Sequence, residues 1–429
     1  MNMQKLTDAV AQLASSPARR LLTELFDAGT FTEIDRLARD GDHAAEAVAG
    51  YGTIEGFPVY AFAQDRDVCC GAIGKAQAAK IAKVYELAAQ NGAPVVGVFD
   101  SDGAKLNEGV DAMDAIAELL RRSNELSGVV PQIAVINGPC VASCAMLASA
   151  ADVTIAVEGA DFYMNVGDDN QSADIEVADT AAAIDKVCDL IACLPSNNMD
   201  APRYFEYDGV AGAVATDASG AAAMLADTDT RILLSETTAF ARIGGTVCGI
   251  VTLAGDKLCD CQCARSGRFV RLCDSYSIPV VTVVDAAGFA SLQAATRLSQ
   301  IYAEATVPKL TVVAGKAYGP VYIALAGKSS GADVVLAWPT AVISPLAPET
   351  AIHIFWKDRL AQMKNPAADR PALAAEYAET ACSPLEAAAN GYVTDVVTPE
   401  ETKAKLIAFM DMLSDKRKTH LPRKHTNLR

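Results

Sequence analysis

Pro94-Val95-Val96-Gly97-Val98-Phe99-Asp100-Ser101-Asp102-Gly103 recurs later in the chain as Pro279-Val280-Val281-Thr282-Val283-Val284-Asp285-Ala286-Ala287-Gly288. Each stretch opens on proline, runs on through apolar residues rich in valine, and closes on an aspartate and a glycine. That pattern is a buried strand ending in a turn. Three further pairs keep the same order. Gly52-Thr53-Ile54-Glu55-Gly56 matches Gly245-Thr246-Val247-Cys248-Gly249, Val130-Pro131-Gln132-Ile133 matches Val307-Pro308-Lys309-Leu310, and Ala151-Asp152-Val153 matches Ala332-Asp333-Val334. Four ordered matches imply one fold present twice.

Both copies follow the same course outward from these strands. A hairpin-like β segment comes first (Gly52 to Ala63, Gly245 to Ala254), then an amphipathic helix (Ala76 to Gln90, Arg265 to Tyr276). The buried strand, a glycine turn and a second helix follow. A second strand opens on Pro131 or Pro308. A turn of small residues and a helix come next (Gly138 to Ala150, Gly319 to Gly327), then a third strand (Asp152 to Val157, Asp333 to Ala337). Strands alternating with helices predict an α/β protein with a parallel sheet covered on both faces. A leading helical segment is expected over Ser16 to Leu37, with Ser16-Pro17 as cap and first turn. The stretch Leu194 to Gly220, rich in Pro, Asn, Asp, Gly and Ala, holds the junction between domains 1–210 and 211–429.

Composition narrows the function. The 429 residues are 51% hydrophobic and 21% charged, as in a globular protein, and each half is long enough for a sizeable core. A net charge of −17 argues against nucleic acid and anionic membranes as partners. The start, Met1-Asn2-Met3-Gln4-Lys5-Leu6-Thr7-Asp8, has no apolar stretch, so no signal peptide is expected. The charge-free run from Leu126 to Ala151 contains Pro131, Asn137, Gly138 and Pro139, which suits a strand, a turn and a buried helix rather than a membrane span. Twelve scattered cysteines without secretory context are expected to be reduced thiols in the cytoplasm.

Sites in such folds form where strands end and helices begin, because free N–H groups gather there. Paired N–H groups can hold an oxyanion. The first copy offers Ser101-Asp102-Gly103-Ala104 and Asn137-Gly138-Pro139-Cys140-Val141-Ala142-Ser143; the second offers Ala286-Ala287-Gly288-Phe289 and Ala317-Tyr318-Gly319-Pro320-Val321-Tyr322. Small residues let a substrate approach the backbone, and they equally suit tight helix–strand packing. The residues alone leave both readings open.

At these turns the chain resembles the carboxyltransferase subunits of biotin-dependent acyl-CoA carboxylases and decarboxylases. The stretches that carry the resemblance are Asp100 to Val110, Asn137-Gly138-Pro139-Cys140, Leu194-Pro195-Ser196-Asn197-Asn198, Arg268 to Asp274, Tyr302 to Val313, Ala337-Trp338-Pro339-Thr340-Ala341 and Arg423-Lys424-His425. The resemblance runs from about Ser16 to the end and implies two tandem crotonase-like domains, each a β-β-α superhelix. It also implies carboxyl transfer between biotin, borne on a separate carrier protein, and a short acyl-CoA. The first domain then serves the acyl-CoA and the second the biotin. Backbone N–H groups hold the charge and biotin takes the proton, which suits a chain with four histidines. The correspondence puts acyl-CoA oxyanion donors at Ala142 and Ser143, with Gly103, Ala104 and Gly138 lining that side and Lys105 near the anionic ligand. On the biotin side it puts Val321, Gly288, Gly319, Phe289 and Tyr322. Expected partners are a biotin carrier protein, a biotin carboxylase or decarboxylase membrane subunit, and further copies of this chain. In relatives, one subunit's first domain faces another's second domain, giving a dimer, and three dimers form a ring.

The chain also departs from the family. Proline at 320 has no N–H, so a donor is missing. Ile323 replaces a frequent aspartate. The segment Ser291 to Thr296 is short and uncharged where relatives carry a glycine-rich loop. Pro345 and Pro348 interrupt a turn that usually bears glycine, and the chain is shorter than relatives between Met164 and Ala182. These departures raise a second reading, a non-catalytic paralogue within such a complex. A third reading is a crotonase-type hydratase or decarboxylase without biotin, with Glu108 and Glu349 as candidate acid and base; the Tyr302 to Val313 block favours carboxyltransferase.

Other signals carry less. Cys259, Cys261 and Cys263 lack the pairing of a zinc site and read as buried or half-buried thiols, facing one way if extended. No metal is expected. Ala361 to Asn365 lacks the biotin-attachment order. Ser143 lacks a nucleophile's G-x-S-x-G setting, and His353 reads as a packed histidine.

Overall fold

The computed structural model describes residues 16–419 except 42, 208, 210–212 and 364, together with positions 3, 7, 10, 11 and 13. The chain divides into two compact units, Met1–Ala201 and Pro202–Arg429. The division falls ahead of 210/211 because residues 203–205 pair with the second unit's own hairpin: the Phe205 N–H donates to the Gly245 carbonyl (2.8 Å) and Val247 N–H to the Arg203 carbonyl (3.1 Å).

The first unit is built on an eight-stranded sheet of described residues. Thr32–Glu33, Ala47–Ile54 and Phe57–Gln64 are antiparallel. Val95–Ser101, Gln132–Val141, Val153–Val157 and Ile175–Val177 continue the sheet in parallel. The second unit repeats this order through Ile232–Leu233, Thr238–Ile243, Thr246–Gly255, Val280–Ala286, Lys309–Tyr318, Val334–Ala337 and Asp395–Val396. Even an irregularity recurs. The register slips between Phe99 and Ser101 in one unit and between Val284 and Ala286 in the other.

The central strands are apolar because both faces are covered. Phe62, Ile81, Ile116, Leu119 and Ile136 anchor the first core; Ile250, Val281, Val312, Trp338 and Leu406 anchor the second. The helix Lys75–Asn91 ends at Gly92, which takes the left-handed conformation that closes helices (φ 61°). Its start has no side-chain cap from Gly74; Glu108 Oε2 accepts the Lys75 N–H instead, at 2.8 Å.

Several local expectations change. The leading helix is only Pro17–Leu25. Beyond it Asp27 accepts from Thr53 Oγ1 (2.6 Å) and from the Gly56 N–H (2.9 Å), which ties the chain to the hairpin turn instead. Ser291 to Thr296 is not a loop: Ser291 caps the helix Leu292–Glu304 by accepting the Ala294 N–H. The Leu126 to Ala151 run resolves into the strand Gln132–Val141 and the helix Ser143–Ala148. Among the described residues no helix is long and apolar enough to cross a membrane, and none of the twelve cysteines forms a disulfide.

Candidate active site

The first unit brings two turns together. One follows the strand Val95–Ser101. There Ile73 forms a parallel bridge with Ala104: the Ile73 N–H donates to the Gly103 carbonyl (2.8 Å) and Lys105 N–H to the Ile73 carbonyl (3.0 Å). In a parallel bridge the middle residue's own N–H faces away, so Ala104 presents its N–H on the other side. Gly103 is held by Ser101 Oγ, which accepts its N–H at 3.1 Å. A Cβ on Gly103 would lie 3.4 Å from the Val141 carbonyl and 4.0 Å from Ser143 Oγ. The two turns therefore face each other across a glycine.

The second turn is tighter than the sequence suggests. The strand continues to Val141 because Cys140 and Val141 pair with Phe162 and Tyr163. Gly138 thus sits inside the strand, where an added Cβ would lie 2.5 Å from Asp100 Oδ1. Only Ala142 turns, with φ 51°. Its N–H is taken by the Tyr163 carbonyl at 3.0 Å, which removes it as a donor. Ser143 is the first residue of the helix, so its N–H has no partner within the helix. The donors this geometry offers are Ala104 and Ser143.

Lys105 is also placed differently. Its buried ammonium pairs with Asp40 and Glu46 and lies 3.6 Å from Glu108, so it is held by carboxylates rather than directed at an anionic ligand. Asp100 has its carboxyl pushed up by burial while Arg66 pulls it down from 3.4 Å. Cys140 and Cys144 flank the turn, 3.6 Å apart sulfur to sulfur, and that contact together with burial pushes the Cys140 thiol up.

The second unit matches this station by station. The Leu258 N–H donates to the Gly288 carbonyl and Ala290 N–H to the Leu258 carbonyl, both at 2.9 Å, so Phe289 holds the place of Ala104. Gly319 holds the place of Ala142: its φ is 41°, and its N–H is taken by the Ser344 carbonyl at 2.8 Å. The next residue, equivalent to Ser143, is Pro320. Val321 then corresponds to Cys144, one residue further on. A cleft of about 550 Å³ opens beside Gly319, lined by Tyr322, Ile323, Ser344, Pro345 and Tyr392 among others. The Tyr322 hydroxyl donates to the Tyr392 carbonyl at 3.3 Å.

The carboxylates considered for hydration are not poised for it. Glu108 is occupied by the Lys75 N–H and Lys105, and Glu349 is exposed on the first turn of the helix Pro348–Phe355. His353 is exposed on that helix rather than packed. Cys259 caps the helix Asp260–Ser275, leaving Cys261 exposed and Cys263 buried, so the three do not share a face.

Two copies of one α/β unit, each with the same bridged turn after its central strand, are the architecture of the crotonase-fold carboxyltransferases. The chain belongs to the carboxyl transferase domain family, whose profile matches residues 16–170 and 235–428. It is similar to the methylmalonyl-CoA decarboxylase subunit alpha of Propionigenium modestum, 33% identical over 96% of this chain and 92% of that protein. It is equally similar to the propionyl-CoA carboxylase beta chain of Saccharopolyspora erythraea, at 33% over 96% and 90%. In three dimensions it is similar to transcarboxylase 12S, solved as a hexamer with methylmalonyl-coenzyme A and methylmalonic acid bound. The TM-score is 0.88 and the identity 28%, over 99% of this chain and 94% of that one.

Proposed function

We propose that this chain is the carboxyltransferase subunit of a biotin-dependent acyl-CoA carboxylase or decarboxylase, moving CO₂ between carboxybiotin and a short acyl-CoA. The observation that carries the reading is the pair of N–H groups, Ala104 and Ser143, unengaged among the described residues, at turns that meet across Gly103. Two such donors suit the thioester oxygen as negative charge builds there. They lie in the first unit, which supports an acyl-CoA side over residues 1–201. The cleft beside Gly319 supports a biotin side in the second. Biotin, when present, supplies the carboxyl group and arrives on a carrier protein. Further partners are a biotin carboxylase or a decarboxylase membrane subunit, and other copies of this chain, as the hexameric transcarboxylase 12S suggests. We place the protein in the cytoplasm.

The direct test is purified protein with acetyl-, propionyl-, malonyl- and methylmalonyl-CoA, followed by CO₂ transfer to or from free biotin. Transfer with at least one of them is expected. Failure to bind any of the four overturns the reading.

Pro320 favours a second reading, a subunit whose second half no longer catalyses and which works beside an active paralogue. Turnover of carboxybiotin by this chain alone refutes it. A gain of transfer in Pro320→Gly supports it.

A further inference from the structure

We propose that His43, Glu46 and Cys69 form a binding site for a divalent metal ion of the zinc class. The fold assembles these three, since no spacing pattern links them. Arg39–Asp40 pairs antiparallel with His43–Ala44, and Asp40 stands opposite His43. Glu46 follows, directly ahead of the strand Ala47–Ile54. Cys69 begins the short turn Cys69–Gly71, where both Cys69 and Cys70 are left-handed (φ 49° and 55°). One ligand atom from each of the three residues lies within 4.8 Å of the others. His43 Nε2 and Cys69 Sγ are 3.8 Å apart. Donors about 2.0–2.3 Å from a tetrahedral ion stand roughly 3.3–3.8 Å from one another, so a small side-chain adjustment would bring the set into ligating geometry.

Glu46 supplies an independent reason. It is wholly buried. Its Oε1 pairs with the Lys105 ammonium, while Oε2 has no hydrogen-bond partner among the described residues. An unpaired buried acceptor costs about 1–3 kcal/mol, and a cation at Oε2 would relieve that. The local charge agrees. Lys105 is shared among Asp40, Glu46 and Glu108, and Arg66 is engaged with Asp100 and Asp102. The carboxylates outnumber the single ammonium, so a second cation is favoured. His43 and Cys69 are exposed and give the ion a way in.

The donor chemistry selects the ion. Imidazole, thiolate and carboxylate together suit Zn²⁺; magnesium and calcium prefer oxygen throughout. Three protein ligands leave a fourth position for water or an outside ligand. The Asp102 N–H donates to the Cys70 carbonyl (3.3 Å), so an ion here would pin the small hairpin to the Ser101–Lys105 turn.

The test uses the full chain, purified free of metal and titrated with Co²⁺ as a coloured stand-in for Zn²⁺. One equivalent is expected to bind with a thiolate-to-cobalt charge-transfer band, and excess Zn²⁺ should bleach it. Cys69→Ser should abolish the band. His43→Ala and Glu46→Gln should each weaken Zn²⁺ binding by about 100-fold or more. Cys261→Ser, in the second unit, should change neither. Circular dichroism checks that each variant is folded, and any one folded variant of the three suffices to decide. A wild-type titration without a thiolate band overturns the site. So does a folded Cys69→Ser that keeps the band, or a folded His43→Ala or Glu46→Gln with wild-type affinity.

Discussion

The Asp100 carbonyl oxygen fills the space where a side chain on Gly71 would begin. Gly71 also has φ 66°, so alanine there meets both a backbone atom and a strained conformation. The strand carrying Asp100 leads directly into the Gly103–Ala104 turn, so this contact is part of what positions the first-unit donors. Gly71→Ala should cost about 1–3 kcal/mol. Gly56, at φ 77°, has nothing within 4 Å of its absent Cβ, and Gly56→Ala should cost only about 1 kcal/mol. Denaturant unfolding of the two variants side by side checks the difference. Equal losses would show that the Asp100 contact yields without cost.

Ser143→Pro separates donor from fold. Proline is well tolerated as the first residue of a helix, and Pro320 already fills the equivalent station in the second unit. The variant should keep the wild-type melting temperature within a few degrees. It removes one N–H donor, and exchange of the α-protons of bound propionyl-CoA with solvent should slow by about 10²–10³. Proton NMR in D₂O measures this. Unchanged exchange would remove Ser143 from the site.

Lys309 ties stability to pH. Burial, with Lys418 and Lys416 nearby, pushes its ammonium down from 10.5 to about 8. Its Nζ donates to the carbonyls of Tyr302 (2.6 Å) and Ala305 (2.7 Å). Between those two pH values the unfolded chain holds a proton that the folded chain has lost, so this group makes folding more favourable as pH rises from about 8 to 10.5. Below about 8 both states are protonated, and the cost of burying the charge is carried in full. Lys309→Met should abolish this contribution. The difference in urea midpoint between wild type and variant, followed from pH 7 to pH 10.5, should widen in favour of wild type.

Thr402 satisfies a tryptophan. The Trp338 Nε1–H donates to Thr402 Oγ1 at 2.9 Å, and both residues are fully buried. Thr402→Val keeps the shape and strands the indole N–H, at a cost of about 1–3 kcal/mol. Thr402→Ser should recover part of that loss, and guanidinium unfolding resolves the two.

The sequence made the architecture legible because repetition survives changes in individual residues. Pro94 to Gly103 and Pro279 to Gly288 end in the same slipped register and the same bridged turn. The missing proline donor was legible too, since proline cannot hide the loss. What escaped was pairing over distance. Ala142 reads as a free donor until Phe162–Tyr163 is seen extending the strand beside it. Lys105 reads as a ligand contact because Asp40 and Glu46 lie some sixty residues earlier. A shorter gap, from His43 to Cys69, with no ligand spacing to mark it, hid the grouping of His43, Glu46 and Cys69. Ser291 was different: a serine ahead of a helical pattern is a readable cap, and comparison with longer relatives obscured it.

Proline at 320 also bears on how the two halves can change over time. A duplicated gene begins with interchangeable copies, each under the same selection. Once one copy gives up an N–H that the other keeps, as Pro320 does where Ser143 does not, the symmetry is broken. The two halves therefore no longer offer the same backbone group at this station: position 143 presents an N–H and position 320 cannot.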